Sequence, residues 1–201
     1  MPVSQPPGDP TRIEPGWVRE AWHTRRWLHS GHGSLDRLRL ARELARRRVL
    51  ARGRLLGEPL QMLREGRLRI GPHTLLEPDV WLTGSGRITI GTGSFLNLGV
   101  MVASLHDVSI GDHCMLANGC VVTDADHAVV DPDRPITEQG FVSRGRTSIG
   151  DDCWLGAHVV VTSGVTIGER CVIGANSTVT HDVPAWSVAV GSPARVVRSL
   201  R

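Results

Sequence analysis

From about Leu68 onward, an aliphatic residue occurs at every sixth position, and no other feature restricts the possible folds as strongly. Fifteen such hexads group into five runs of eighteen residues. Their first residues are Ile70, Leu76, Leu82; Ile90, Leu96, Val102; Ile110, Leu116, Val122; Ile149, Leu155, Val161; and Ile167, Ile173, Val179. A repeat this short cannot bury its own core, so successive coils must stack and share one. The pattern predicts a mainly β chain wound as a parallel β-helix of about five coils with three flat faces.

The first residue of each hexad is expected to point inward and to stack on its equivalent in the next coil at about 4.8 Å. The position that follows is often glycine, which we expect to supply the backbone freedom that a corner requires. These glycines are Gly71, Gly91, Gly111, Gly150, Gly156, Gly168 and Gly174.

The four cysteines test this register independently, because each lies four positions after the start of a hexad. They are Cys114, Cys120, Cys153 and Cys171. Elsewhere the same position holds small residues such as Thr74 and Val100. We therefore expect four buried thiols that behave as small apolar side chains, and neither a disulfide nor a zinc site.

The third and fourth runs are separated by 21 additional residues, whereas the other junctions contain two or none. This insertion begins directly beside His127. Composition alone would make His127 a surface residue in a polar loop. The alternative is a catalytic base at the edge of a rigid repeat, since a neutral imidazole, with a pKa of about 6.5, can accept a proton near neutral pH.

The N-terminal part differs from the repeat in charge and composition. Met1 to Arg69 contains 15 arginines against 7 acidic residues, whereas the rest of the chain contains 8 against 13. Residues 1–13 are rich in proline and polar residues and are expected to be disordered. A first helix is predicted from Glu14 to about Ser30, and a second from an N-cap at Ser34.

Clustered arginines on the second helix could bind nucleic acid or anionic lipid, but its apolar residues favour a packed helix with solvated arginines. That apolar side is predicted to hold Ala41, Leu44, Ala45 and Val49. We divide the chain into a disordered and helical extension (1–66), a β-helix domain (67–185) and a C-terminal tail (186–201). Without a signal-like or membrane-spanning apolar segment, a cytoplasmic location is expected.

The hexads, the single long insertion and the ending Gly191-Ser192-Pro193-Ala194-Arg195 resemble the bacterial hexapeptide-repeat acyltransferases, which have a left-handed parallel β-helix. The resemblance covers about Leu68 to Arg198. The run Ile149-Gly150-Asp151-Asp152-Cys153-Trp154 is similar to the branch that acetylates sugar hydroxyls, including galactoside, maltose, nodulation-factor and O-antigen enzymes. The resemblance implies a homotrimer with active sites between subunits and acetyl-CoA as co-substrate, without a metal.

The same resemblance assigns roles to individual residues. His127 stands where the family has its catalytic base, and Asp124 and Asp126 are candidates to orient its ring or contact substrate. Asn97 matches an asparagine that binds the acceptor sugar; otherwise it is a turn residue that tolerates a left-handed backbone. Where some relatives have an acidic sugar contact, this chain has Leu105, so the acceptor is left open.

For acetyl-CoA, the resemblance implies six residues along the C-terminal coils. They are Ala157, Ala175, Thr180, His181, Arg195 and Arg198. Small alanines allow a pantetheine arm to approach backbone amides, and arginines can pair with phosphates.

The resulting hypothesis is an acetyl-CoA-dependent O-acetyltransferase that acts on a sugar or a glycosylated small molecule. N-acetylation of an amino sugar is the close alternative, because the same base and thioester serve both nucleophiles. A zinc carbonic anhydrase using His106, His113 and His127 and a non-catalytic β-helix are the remaining alternatives.

Overall fold

A computed structural model describes residues 34–201 of the chain. The helix predicted from Glu14 to about Ser30 and the disorder predicted for residues 1–13 lie outside the described residues. Three helices occur within them: α1 (Ser34–Arg46), α2 (Pro59–Arg64) and α3 (Ile136–Gln139). Within residues 34–201 no helix is long and apolar enough to cross a membrane.

Residues 34–201 contain twenty-one strands, and all but two belong to three sheets, in which every pair except β20–β21 is parallel. The first sheet contains β1 (Leu50–Ala51), β4 (Leu75–Leu76), β7 (Phe95–Leu96), β10 (Met115–Leu116), β15 (Trp154–Leu155), β18 (Val172–Ile173), β20 (Ser187–Gly191) and β21 (Ala194–Ser199). The second contains β2 (Leu56–Gly57), β5 (Trp81–Thr83), β8 (Met101–Ala103), β11 (Val121–Thr123), β16 (Val160–Val161) and β19 (Thr178–Val179). The third contains β3 (Leu68–Ile70), β6 (Arg87–Ile90), β9 (Asp107–Ile110), β14 (Thr147–Ile149) and β17 (Thr166–Ile167). A separate hairpin joins β12 (Asp126–His127) to β13 (Phe141–Val142).

Each coil passes through the three sheets in turn, and equivalent residues of successive coils pair in parallel. Ile90 pairs with Ile110, which pairs with Ile149, and Ile149 pairs with Ile167. The first residues of the hexads are all buried and form one continuous core. The predicted register and the mainly β, left-handed parallel β-helix are confirmed.

The corners show why glycine follows the start of a hexad, and the reason is not the predicted backbone freedom. The left-handed backbone occurs two positions later, for example at His113 (φ 55°) and Asn176 (φ 58°). At Gly71 a Cβ would instead lie 2.5 Å from the backbone nitrogen of Thr92 in the next coil. Glycine is needed there because adjacent coils approach too closely for a side chain.

The corner between the third and first sheets contains a ladder of short polar side chains that explains three of the four cysteines. The hydroxyls of Thr74 and Ser94 donate to backbone carbonyls of the following coil at 2.7 and 2.9 Å. The thiols of Cys114, Cys153 and Cys171 make the equivalent bonds at 3.1 to 3.2 Å. All four cysteines are free and buried, as predicted.

Both ends of the coil contain parts that the hexad pattern did not indicate. Strands β1 and β2 pair in parallel with β4 and β5, so an incomplete coil precedes residue 67. Helix α2 then takes the chain toward β3 in place of a further strand, and it buries Leu60, Met62 and Leu63. At the other end, β20 extends the first sheet and β21 folds back antiparallel to it, so residues 187–199 form a hairpin.

The apolar side predicted for helix α1 is correct for Leu44 and Val49 but wrong for the two alanines. Its buried residues are Leu40 and Leu44, whereas Ala41 and Ala45 are exposed. The helix ends at Arg46, and Val49 is buried beyond its end. Leucine offers more apolar area to bury than alanine, which favours the Leu40 side.

Candidate active site

The insertion after the third coil begins as a β-hairpin that carries His127. Strands β12 and β13 pair antiparallel, with His127 opposite Phe141, and their ring centroids are 4.6 Å apart. The His127 side chain is exposed. Within residues 34–201 its ring nitrogens make no hydrogen bond or ion pair, so the imidazole is available to an external group.

The rest of the insertion is held by its own hydrogen bonds. The Gln139 amide donates to the carbonyls of Asp131 and Arg134, both at 2.8 Å, and its oxygen accepts the Asp131 N–H at 2.9 Å. Helix α3 lies within this arrangement. The insertion is therefore a folded unit rather than an unstructured crossing between strands.

Asp124 holds a turn of the preceding coil. Its carboxylate is fully buried and accepts the backbone N–H groups of Leu105, His106 and Asp107 at 2.6, 2.8 and 2.6 Å. The carboxylate oxygens are thus occupied by the turn of the preceding coil, and within residues 34–201 none of their hydrogen bonds reaches the His127 ring. A buried carboxylate is stable there because three N–H donors compensate its charge.

Asp126 is placed differently, on the hairpin next to His127. Its side chain is half-buried, and Oδ2 lies 3.1 Å from Nε of Arg144. The geometry is that of an ion pair rather than of a hydrogen bond, because Oδ2 accepts no well-directed N–H. Asp126 therefore ties the start of the insertion to its end.

Two residues that the sequence did not single out anchor the mouth of the insertion. The buried Ser163 hydroxyl donates to the carbonyl of Asp124 and accepts the N–H of Arg144, both at 2.8 Å. The Thr147 hydroxyl donates to the carbonyl of Thr123 at 2.9 Å. The sequence signal for Thr147 was a polar residue at a position that holds a buried aliphatic residue, such as Ile88 or Val108, in the other coils. Together Ser163 and Thr147 fix both ends of the insertion to the rigid coil.

Asn97 lies at the corner between the first and second sheets, whereas His127 leaves the coil beyond the second sheet. A single chain therefore does not bring these two residues together. Asn97 has no left-handed backbone; that conformation belongs to Gly99 (φ 66°). The Asn97 Oδ1 accepts the Leu98 N–H at 2.7 Å, which leaves the amide NH₂ free to donate.

The six residues assigned to the coenzyme lie on the last coils. Ala157 and Ala175 occupy the same corner in consecutive coils, and their N–H groups make no hydrogen bond within residues 34–201. Thr180 and His181 follow β19 at the next corner, where the Thr180 hydroxyl lies 2.9 Å from Nδ1 of His181. Arg195 and Arg198 lie on β21 with exposed side chains. Free amides beside small side chains, with exposed cations nearby, suit a pantetheine arm that ends in phosphates.

The outer faces of the three sheets differ sharply in polarity. The first sheet presents Leu50, Leu75, Phe95, Met115, Trp154, Val172 and Val188 in one row. The second presents Leu56, Trp81, Met101, Val121, Val160 and Thr178. The third presents Arg69, Thr89, Ser109, Ser148 and Thr166. Two faces are thus apolar and one is polar.

No group of three or more His, Cys, Asp or Glu side chains that could hold a metal ion occurs among residues 34–201. His106, His113 and His127 are not gathered into such a group.

The fold and this site define a class of transferases, and comparisons with known proteins agree. Residues 146–181 match the family described as bacterial transferase hexapeptide (six repeats), and residues 87–124 match the hexapeptide repeat of succinyl-transferase. The chain is 32% identical to a galactoside O-acetyltransferase of Escherichia coli over 69% of its own length and 67% of that protein. It is 38% identical to nodulation protein L of Rhizobium meliloti over 67% and 72%.

A solved structure extends this similarity. The hexapeptide-repeat acetyltransferase of Vibrio cholerae, complexed with acetyl coenzyme A, matches 96% of this chain and 92% of its own, with 28% identity and a TM-score of 0.53. The chain belongs to the bacterial hexapeptide-repeat transferases. Within that family it is an acetyltransferase.

Proposed function

We propose that the protein transfers an acetyl group from acetyl-CoA to a hydroxyl of a sugar or glycosylated small molecule. The observation that carries this proposal is the unpaired imidazole of His127, which stands on a hairpin whose two ends are fixed to the coil. Similarity to a galactoside O-acetyltransferase supports the acceptor class.

His127 acts as the general base. An alcohol attacks a thioester slowly until its proton is removed, and a neutral imidazole performs that removal near neutral pH. The acceptor oxygen then forms a bond to the thioester carbonyl carbon and gives a tetrahedral intermediate. Its collapse breaks the carbon–sulfur bond, and the imidazolium returns the proton to the leaving thiolate. The products are an acetyl ester and free CoA.

The coenzyme is proposed to lie along the last coils. Ala157 and Ala175 offer two unbonded N–H groups one coil apart, about 4.8 Å, a spacing that suits the successive amides of a pantetheine arm. Arg195 and Arg198 would pair with its phosphates, since a guanidinium matches phosphate oxygens in a forked geometry. Thr180 and His181 would contact the coenzyme from the next corner of the coil, after β19.

Asn97 is proposed to bind the acceptor through its free amide NH₂, which donates to a sugar oxygen. Asp126 stands beside His127 and is the remaining acidic candidate for a substrate contact. Asn97 and His127 of one chain lie at different corners. The acceptor is therefore proposed to contact His127 of one subunit and Asn97 of another subunit.

The proposed assembly is a homotrimer, and the two apolar faces support it, because apolar surfaces this extensive are unfavourable in water. In a closed ring of three, each chain has two neighbours and so can cover two faces while the polar third face remains outside. Trp154 is 52% exposed in the single chain and lies in the middle of an apolar row. We expect Trp154→Arg to shift the molar mass measured by light scattering toward the monomer. Ser148→Arg, on the polar face, is the matched control and should leave the mass unchanged.

The test of the activity is release of free CoA from acetyl-CoA in the presence of a panel of sugar hydroxyl and amino-sugar acceptors. We expect His127→Ala to lower kcat by about 10²- to 10⁴-fold, the usual contribution of a general base. His73→Asn is the control, because His73 is an exposed histidine with a left-handed backbone (φ 62°) that asparagine tolerates. Full activity in His127→Ala would refute the assignment of the base. Product mass after treatment with hydroxylamine, which cleaves esters but not amides, separates O- from N-acetylation.

A further inference from the structure

The polar outer face of the third sheet carries a cluster of arginines that the proposed acetyl transfer does not use. A shallow cavity of about 200 Å³ is lined there by Arg67, Arg69, Arg87 and Arg146, together with Gly66, Thr89 and Asp107. Strands β3, β6, β9 and β14 bring these residues together from four successive coils. The cavity lies on the third face, and none of its residues belongs to the two apolar faces.

The charges of this cluster are not balanced by the protein. Arg67 is paired with Glu65 through its Nε at 2.7 Å and also donates to the carbonyl of Gly84 at 2.8 Å. Arg87 and Arg146 share a single carboxylate: they approach Asp107 Oδ2 at 4.0 and 3.7 Å. Arg69 makes no ion pair or hydrogen bond through its side chain within residues 34–201. Once Arg67 is paired with Glu65, the guanidinium groups of Arg69, Arg87 and Arg146 remain with the single carboxylate of Asp107. The cluster therefore has two positive charges in excess.

Two arginines elsewhere on the coil each have a carboxylate of their own. Arg52 pairs with Glu77 at 3.2 Å, and Arg170 pairs with Asp152 at 3.1 Å. Like charges on adjacent strands destabilise a sheet, so the excess at the third face has no explanation in stability. An external anion would remove that repulsion.

We infer that this cluster is a binding site for a dianionic phosphoryl group, separate from the coenzyme site. Arg69 and Arg87 would hold its oxygens in forked geometry, and the Thr89 hydroxyl between them would donate a further hydrogen bond. Arg146 already uses Nη2 to donate to Ser109 at 2.8 Å, which aims its guanidinium along the same face. A phosphate monoester carries a charge of about −1.5 to −2 at pH 7, close to the unbalanced charge of the cluster.

The phosphoryl group has two possible sources, inorganic phosphate or a larger phosphorylated solute such as a sugar phosphate. Both would use the same oxygens. Isothermal titration of the full-length protein with inorganic phosphate and with glucose 1-phosphate, at constant ionic strength set by sodium chloride, distinguishes them. Tighter binding of the sugar phosphate, without competition by glucose alone, assigns the site to a larger ligand; equal affinity assigns it to the free anion.

Three variants test the site itself. Arg69→Gln and Arg87→Gln are each expected to raise the Kd for phosphate about ten-fold, because each removes a charge-assisted hydrogen bond. Asp107→Asn removes the competing carboxylate and is expected to lower the Kd. Arg52→Gln is the matched control, because it removes the same charge from an ion-paired arginine on another face. If Arg52→Gln and Arg69→Gln lost the same phosphate affinity, the loss would be an effect of net charge alone, and the proposed site would be overturned.

Two further outcomes would also overturn it. The first is an absence of measurable binding of either phosphate compound to the wild-type protein. The second is complete loss of phosphate binding when CoA is saturating, which would assign the anion to the coenzyme site. Arg69 has an exposed side chain without partners, so Arg69→Gln is expected to fold, and a circular dichroism spectrum and melting temperature equal to wild type check this.

Discussion

His127 and Phe141 face each other across the hairpin of the insertion, with ring centroids 4.6 Å apart and ring planes inclined at 37°. This contact is the side-chain interaction that limits the orientation of the imidazole within residues 34–201. A carboxylate orients the histidine in many catalytic sites, but here the orientation depends on an apolar contact and on the rigidity of the hairpin.

Phe141→Ala should therefore reduce turnover without removing the base. We expect kcat to fall roughly ten-fold while KM for acetyl-CoA changes little, because a misplaced base slows proton transfer rather than binding. In a double-mutant cycle, Phe141→Ala should have almost no effect in the His127→Ala background. Equal effects in both backgrounds would show that Phe141 serves the acceptor pocket or the fold instead.

Asp124→Ala should destabilise the protein and only thereby reduce its activity. The substitution leaves three N–H donors in the partly buried turn of residues 105–107 without their acceptor, at a cost of up to about 1–3 kcal/mol for each donor that water cannot reach. Urea denaturation at a fixed protein concentration measures the loss. Asp126→Ala is the control on the same segment; its ion pair is partly exposed and should contribute less than about 1 kcal/mol. If the Asp124→Ala protein were stable but inactive, Asp124 would have a direct role in the active site.

The buried thiols should make stability fall at high pH. Burial raises the pKa of the Cys120 and Cys171 thiols, and a hydrogen bond with Cys114 together with burial raises that of Cys153. The folded state thus holds these protons more tightly than the unfolded state. Their contribution to stability is complete below the ordinary thiol pKa of about 8.5 and is lost as the pH rises above it.

The melting temperature measured from pH 7 to pH 10 tests this expectation. The variant Cys120→Ser/Cys153→Ser/Cys171→Ser should show a smaller decline above pH 8.5. Serine can repeat the carbonyl bond, as Ser94 does at 2.9 Å, but it does not ionise in this range. An identical decline in both proteins would attribute the pH dependence to other groups.

Substitution should destabilise the protein much more at one glycine of the repeat than at another. Gly150→Ala would place a Cβ 2.6 Å from the backbone nitrogen of Glu169 in the next coil, so the coils must separate. Gly99→Asn meets open space, and asparagine accepts the left-handed backbone at φ 66°, as Asn176 does in the last complete coil. We expect Gly150→Ala to lose at least about 2 kcal/mol of unfolding free energy and Gly99→Asn to remain within about 1 kcal/mol of wild type. Comparable losses would refute close approach as the reason for glycine.

The sequence predicted the core of the coil because inward residues repeat regardless of what surrounds them. It did not reveal the incomplete first coil, since the residues that pair with Leu76 and Leu82 there are Ala51 and Gly57, which are too small to continue the aliphatic pattern. At the other end Val183 follows Val179 by four positions instead of six, which hides its pairing with Ile167.

The sequence predicted only those features of the candidate site whose location depends on the repeat. The insertion and His127 follow from a break in the period. The different environments of Asp124 and Asp126 do not, because they depend on which side chain meets the free N–H groups of a neighbouring coil. The arginines of the third face are distant in sequence, and only the stacking of four coils brings them together.

The helices and the C-terminal hairpin at the two ends of the coil also determine how long it can become. A parallel coil that ended in bare strands could accept another molecule end to end and grow into a fibre. Helix α2 replaces the strand that such growth would need at one end, and β21 occupies the edge of the first sheet at the other. Each end of the coil therefore carries one element that opposes the addition of a further strand, and we expect these two elements to disfavour in-line association of two copies.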